Sequence, residues 1–440
     1  MKFYSTNNKT VSVSFKDAVL KGIADDGGLF MPYEIPKLKA SFIKNLQSKS
    51  FHEIAFEAAK IFLEEDIPHG DIKNILSEAI SFDAPLAQLD ENKYILELFH
   101  GPTLAFKDFG ARFMAKVMSY LIRNENKEIT ILVATSGDTG SAVAQGFYKT
   151  EGINVILLYP SEKVSLIQEK QLTTIGDNIT ALEVEGTFDD CQRLVKTAFL
   201  DKDITNALTL SSANSINIAR LIPQSFYYLN AVAQLKDLNK PLFITVPSGN
   251  FGNLTAGLFA NRMGLPVTRY IAALNSNDVF LEYINTGKYN PRPSIKTISN
   301  AMDVGNPSNF VRILDLYNND HNKIEEKIYS AAFNDDKTKD GIKEVKANYN
   351  YIIDPHGSVG YLALKQFIEE NKIKNYNGII LETAHPAKFK DEVEDVIKEE
   401  IKLPETLRQC MMKEKRSIKI SKEYDDLKSF ILNKGVVISK

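Results

Sequence analysis

Residues 101–110, GPTLAFKDFG, place one lysine, Lys107, next to Phe106 and two positions before Phe109. An ammonium group in such apolar surroundings is poorly solvated, and desolvation favours the neutral amine. A neutral lysine amine is the nucleophile that forms a Schiff base with an aldehyde cofactor. The alternative is a lysine whose alkyl stem packs on apolar surface while its ammonium reaches water. Other segments of the chain bear on that choice, because they carry groups suited to anions.

The first is SGNFGN, residues 248–253, between a β-rich run and a helical pattern. Glycines allow close backbone approach, and the free N–H groups at a helix start favour a phosphate. A Gly/Asn-rich turn that serves topology alone has the same composition. The loop ATSGDTGSA, residues 134–142, repeats the construction and offers Thr135, Ser136, Thr139 and Ser141 as hydroxyl donors. That set suits a carboxylate or phosphate. Asp138 complicates a simple anion site, and an ordinary N-cap cluster is the competing explanation. In SSANSINIAR, residues 211–220, Asn214, Ser215 and Asn217 precede Arg220, a set able to hold a second phosphate. A surface arginine beside a helix cap would look the same. LETAHPAKF, residues 381–389, puts Thr383 and His385 at a strand end. A hydroxyl there can hydrogen-bond a ring nitrogen without imposing charge, while His385 is equally explained as structural. DPHGSVGY, residues 354–361, reads as a helix-capping turn with no assigned chemistry.

These segments need elements to hold them. The runs KYILEL (93–98), ITILVA (129–134), NVILLY (154–159), ITALEV (179–184), LFITV (242–246) and YIAAL (270–274) alternate with helical patterns. Alternation of this kind specifies βα units and mostly parallel sheets, whose ligands sit beyond the carboxyl ends of the strands. A helix starting at Asp108 is expected from the spacing of Phe109, Phe113, Val117 and Leu121. The first 85 or so residues differ, carrying helical patterns such as FHEIAFEAAKIFLEE and few strands, and read as an added amino-terminal region.

The chain has 440 residues, 44% hydrophobic, which implies more than one domain of an ordinary globular protein. A net charge of −3 with mixed signs along the chain gives no electrostatic case for nucleic acid or anionic membrane. Cys191 and Cys410 lie far apart without a metal-ligand pattern, so neither a disulfide framework nor a metal site is expected. The terminus MKFYSTNNKT lacks the apolar core of a secretory signal, and no apolar run reaches bilayer length. A cytoplasmic protein is the expectation.

Taken jointly and in order, GIADDGGLFMP, FHGPTLAFKDFG, ATSGDTGSA, NSINIAR, VPSGNFGN and ETAHPAKF resemble the threonine synthases, pyridoxal-phosphate enzymes of the tryptophan-synthase-β fold type. The resemblance extends to about residue 390. It implies an α/β protein with two doubly wound, mostly parallel sheet domains. The expected division is an amino-terminal region over 1–90, a smaller domain with the substrate loop over 108–212, and a larger cofactor domain from 91–107 with 213–440. It further implies pyridoxal 5'-phosphate bound as a Schiff base to Lys107, the catalytic residue. Gly249, Asn250, Phe251, Gly252 and Asn253 would cradle the cofactor phosphate, and Thr383 would meet the pyridine nitrogen. Ser136, Asp138 and Thr139 would hold the substrate, O-phospho-L-homoserine, with Asn214, Ser215 and Arg220 on its phosphate. Asn253 stands where related loops often carry aspartate, and Asp138 where many relatives of the wider fold carry asparagine. The implied reaction is β,γ-replacement to L-threonine and phosphate by a monomer or homodimer. A phospho-lyase releasing 2-oxobutyrate on the same scaffold, and a non-catalytic cofactor-binding homologue, are the alternatives.

Overall fold

A computed structural model describes residues 1–125, 128–135 and 137–434; Ser136 of the expected substrate loop lies outside them. Three strands, β1 (Lys2–Ser5), β2 (Asn8–Ser14) and β3 (Phe30–Pro32), form a small sheet in the order β2-β1-β3, antiparallel throughout. These are short, so the helical patterns after them dominate a reading of this region by periodicity. The helix Phe51–Leu63 begins at a capping box in which Ser50 and Glu53 exchange side-chain and backbone bonds. Its buried stripe, including Ile54, Ala58 and Phe62, packs on the helix Gln224–Ala233.

The larger sheet is built from β4 (Leu86–Gln88), β5 (Lys93–Glu97), β10 (Leu242–Pro247), β11 (Arg269–Leu274), β12 (Ile328–Ala332) and β13 (Asn377–Glu382), ordered β12-β11-β10-β13-β5-β4. All neighbours run parallel except the edge pair β4 and β5. Every residue of β10 and β13 is buried, as expected for central strands covered on both faces. The helix Pro355–Glu370 lies across β10, β11 and β13.

The smaller sheet is wholly parallel: β6 (Ile129–Ala134), β7 (Ile153–Pro160), β8 (Ile179–Glu185), β9 (Thr209–Ser211) and β14 (Ile418–Ser421), ordered β14-β8-β7-β6-β9. Strand β14 corrects the expected division, since it falls within the 213–440 span assigned to the larger domain. Ile418 and Ile420 pack, with Leu427 and Ile431 of the following helix, on the core formed by Leu182, Val184 and Leu194. The chain end therefore returns to cover an edge that β8 would otherwise expose. Among the described residues no helix is long and apolar enough to cross a membrane.

Candidate active site

Segments following β5, β6 and β13 meet at the carboxyl ends of the two sheets, and the segment following β10 meets the NSINIAR segment. The turn ahead of Lys107 is fastened from inside and outside. Asp108 accepts from the backbone N–H of Thr103 at 2.8 Å and from its hydroxyl at 2.7 Å. The Phe106 N–H donates to the Thr383 carbonyl at 2.9 Å and the His385 N–H to that of Leu104 at 3.0 Å. An antiparallel bridge pairs Ala105 with Ala384. Lys107 is thereby the first residue of the helix Lys107–Ile122, one position before the expected start at Asp108.

The Lys107 side chain is half-buried. Burial is the main cause that pushes its amine down to about 8; Lys388 and Arg220 push the same way and Asp138 opposes them. About a tenth of the amine is then neutral at pH 7, far more than for an ordinary lysine. Asp108 moves oppositely: burial raises its carboxyl to about 6, against the two Thr103 donors.

Across the cleft, Asp138 opens the helix Asp138–Phe147 behind a Gly137 with φ of 142°. Here a Cβ would meet the Gln168 amide at 2.7 Å, so both conformation and space call for glycine. Gln168 Nε2 donates to Asp138 Oδ1 at 3.0 Å. Lys388 Nζ pairs with the same oxygen at 2.7 Å and donates to the Thr103 carbonyl at 3.0 Å. Burial alone would raise the Asp138 carboxyl, yet the charges of Lys388 and Lys107 and its hydrogen bonds hold it below the ordinary carboxylate range. Thr135 braces this loop by accepting from the N–H groups of Gly137 at 3.1 Å and Gly140 at 2.8 Å. Thr139 is half-buried on the same turn.

The SGNFGN loop is held differently. Phe251 adopts a left-handed φ of 58°, and no side chain caps the helix Gly252–Arg262, leaving first-turn amides for an anion. A Cβ on Gly249 would lie 2.8 Å from Met302 Cα and 2.9 Å from the Ala301 carbonyl, so the loop sits flush on that backbone. Asn250 donates to Ser215 Oγ at 2.6 Å, and its carbonyl accepts from Asn309 Nδ2 at 3.0 Å. Asn253 Oδ1 accepts from the hydroxyls of Tyr227 at 2.6 Å and Tyr228 at 2.7 Å, whereas its buried Nδ2 has no partner among the described residues. Such an orphaned donor beside uncapped amides suits a phosphate oxygen.

The NSINIAR cluster divides. Ser215 faces the SGNFGN loop through Asn250, and Asn214 is half-buried beside it. Arg220, only 2% exposed, turns toward the Lys107–Ile122 helix, where a Cβ on Gly110 would meet its Nε at 2.9 Å. One guanidinium nitrogen donates to the Ala213 carbonyl, while Nε has no partner among the described residues. Burial pushes the group down to about 10 against the charge of Asp108, which leaves it charged at neutral pH with no carboxylate at ion-pair distance among the described residues. At the end of β13 the Thr383 hydroxyl is likewise without a hydrogen-bond partner among the described residues, although the residue is buried. His385 is structural: its Nδ1 accepts from the Ala387 N–H at 3.0 Å and its ring meets Phe99 edge-on. Asp354 caps the helix Pro355–Glu370 through the Gly357 N–H, as the capping-turn reading of DPHGSVGY requires.

Three relevant groups carry no usable local signal. Lys388 follows His385 by three residues in a quoted motif, but nothing local marks it as a buried ion-pair partner. Arg312 is fully buried and binds the carbonyls of Phe30 at 2.9 Å and Ile216 at 2.7 Å and the Asn309 amide at 2.7 Å, tying the amino-terminal region to both anion loops. Tyr227 and Tyr228 lie in an apolar helix that reads as plain core.

Family models match almost the whole length of the fold described above. The model described as pyridoxal-phosphate dependent enzyme matches residues 81–381, flanked by threonine synthase N terminus over 2–80 and threonine synthase, C-terminal, over 357–431. A threonine synthase from Serratia marcescens is 43% identical over 92% of this chain and 93% of its own length. The chain belongs to the threonine synthase family. Among solved threonine synthases, that of Escherichia coli superposes with a TM-score of 0.91 at 40% identity, covering 98% of this chain and 100% of that one. The PLP-bound threonine synthase of Brucella melitensis gives 0.92 at 34% identity, covering 98% and 99%. The threonine synthase family is pyridoxal-phosphate dependent, and the orphaned Asn253 donor, the uncapped amides and the unpartnered Thr383 hydroxyl fit that group.

Proposed function

We propose that this chain converts O-phospho-L-homoserine and water into L-threonine and phosphate, with Lys107 as the lysine that carries pyridoxal 5'-phosphate. The observation that carries the reading is Arg220: a buried, charged guanidinium with a free Nε, set against the helix that Lys107 begins. A phosphate on the substrate supplies the charge that this arginine lacks.

When bound, the cofactor supplies an electron sink for carbanion chemistry. The rest is done by side chains and amides of the chain. Lys107, with its amine pushed down to about 8, would hold the cofactor and would take and give protons at the substrate carbon atoms. Gly249, Asn250, Phe251, Gly252 and Asn253 hold the cofactor phosphate through helix-start amides and Asn253 Nδ2, with Ser215 bracing Asn250. Thr383 offers a neutral hydroxyl to the ring nitrogen. Asp138 and Thr139 line the substrate's amino-acid end, Ser136 of the same loop lying outside the described residues, while Asn214 and Arg220 take its phosphate, with Ser215 shared between the two anion sites. We further infer a cytoplasmic enzyme of a small-molecule substrate, supported by two unpaired cysteines and a mixed charge of −3.

Product analysis tests the reading. Protein loaded with pyridoxal 5'-phosphate and given O-phospho-L-homoserine is expected to release threonine and phosphate in equal amounts. Release of 2-oxobutyrate with ammonia as the main products would make the chain a phospho-lyase instead, and no turnover would make it a non-catalytic homologue.

A further inference from the structure

Two lysines lie at this site, and the assigned chemistry uses one of them. Lys388 is 3% exposed, and its ammonium spans the cleft between the two sheets. It follows β13 of the larger sheet, yet pairs with Asp138 Oδ1 at 2.7 Å on the helix after β6 of the smaller one. A further bond of 3.0 Å goes to the Thr103 carbonyl, in the turn that leads to Lys107. Gln171 donates to the same carbonyl at 3.2 Å. Lys388 therefore touches both the substrate loop and the lysine turn.

Burying this pair is costly, since each ion loses its hydration and removal of either leaves the other unpaired. A neutral amide in place of Asp138 would need no buried cation. The chain instead carries both charges, within reach of Lys107. The groups that face the Lys107 amine are Asp138, Lys388 and Arg220, and Asp108 sits in the adjoining turn. Without Lys388, the cation left to compensate Asp138 is Lys107 itself, captured as an ammonium.

We propose that Lys388 is a positioning residue: by occupying Asp138 and the Thr103 carbonyl, it keeps the Lys107 amine unpaired and available to the cofactor aldehyde. The inference rests on the assignment of Lys107 as the cofactor lysine. Lys388 pushes the Lys107 amine down and Asp138 pushes it up. Removing Lys388 takes away one effect and strengthens the other.

The test is competitive acetylation of the full-length chain freed of cofactor, with the Lys107 peptide followed by mass spectrometry across pH. In the parent, reactivity is expected to rise through pH of about 8. In Lys388→Met the midpoint is expected to move up by about one unit or more, roughly a tenfold loss of reactive amine at neutral pH. Colour development on adding pyridoxal 5'-phosphate should slow in parallel. Lys388→Met combined with Asp138→Asn should return the midpoint toward the parent. Should Lys388→Met fail to fold, Asp138→Asn alone carries the test, with a midpoint expected below the parent's. An unchanged midpoint in Lys388→Met, a double variant shifted as far as the single, or an unmoved or raised midpoint in Asp138→Asn overturns the proposal. Borohydride trapping of cofactor on another lysine in the parent would defeat the Lys107 assignment itself, a distinguishable result.

Discussion

The loops after β6 and β10 look alike in sequence, each a glycine-containing turn between a strand and a helix, but they manage charge in opposite ways. Around residues 248–253 the bracing groups are neutral: Asn309, Tyr227 and Tyr228 donate to the loop's oxygens, Ser215 accepts from Asn250, and Asn253 Nδ2 and first-turn amides are left free among the described residues. A loop built so is an anion receptor without competition. Around residues 134–142 a carboxylate is buried and then neutralised by Lys388 from the other sheet. That loop carries its own charge pair, so an incoming group must be placed around an existing electrostatic arrangement. On the proposed reading, similar turn chemistry serves as a receptor in one place and, through Lys388, sets the state of the neighbouring lysine in the other.

Three substitutions press on this contrast. Arg220→Ala should have the largest effect, costing about 2–5 kcal/mol in kcat/KM with O-phospho-L-homoserine, the range for stranding one partner of a buried charge pair. Cofactor content should be retained, as measured by absorbance of the purified protein. Loss of cofactor with unchanged substrate response would move Arg220 to the other anion site and erase the division of the NSINIAR cluster. Next, Gly249→Ala drives a Cβ into Met302 Cα and the Ala301 carbonyl. Backbone must shift, so denaturant unfolding should show a loss of about 1–3 kcal/mol, with weaker cofactor binding by titration. A neutral outcome would mean that the receptor loop is not seated on that segment.

How far the sequence announces these features depends on how local their cause is. Glycines, asparagines and hydroxyls at strand ends are marked by turn and helix-start chemistry within a few residues, so both loops and Lys107 stand out. Strand β6 coincides with its apolar run for the same reason. What escapes is long-range. Lys388 meets a carbonyl 285 positions away, and Arg312 meets one 282 away. No local pattern distinguishes these from solvated cations. Strand β14 is four residues long and earns its place by covering β8, a pairing that periodicity cannot foresee. Ser215 joins the 248–253 loop through a bond from Asn250, 35 positions away, which no local pattern marks.

The smallest effect is expected at Thr383. Thr383→Val keeps the volume and removes a hydroxyl without a hydrogen-bond partner among the described residues, so stability should hardly change. Cofactor affinity should fall by about 0.5–1.5 kcal/mol, the value of one hydrogen bond. Unchanged affinity and spectrum would reduce the strand end to a structural role.

The central claim is that, of the two lysines at this site, Lys107 bonds the cofactor while Lys388 holds Asp138. Borohydride reduction of the pyridoxal-phosphate-loaded protein, followed by peptide mapping, tests it directly. The expected result is cofactor fixed on the peptide containing Lys107 and absent from that containing Lys388. Cofactor recovered on Lys388 would contradict the account.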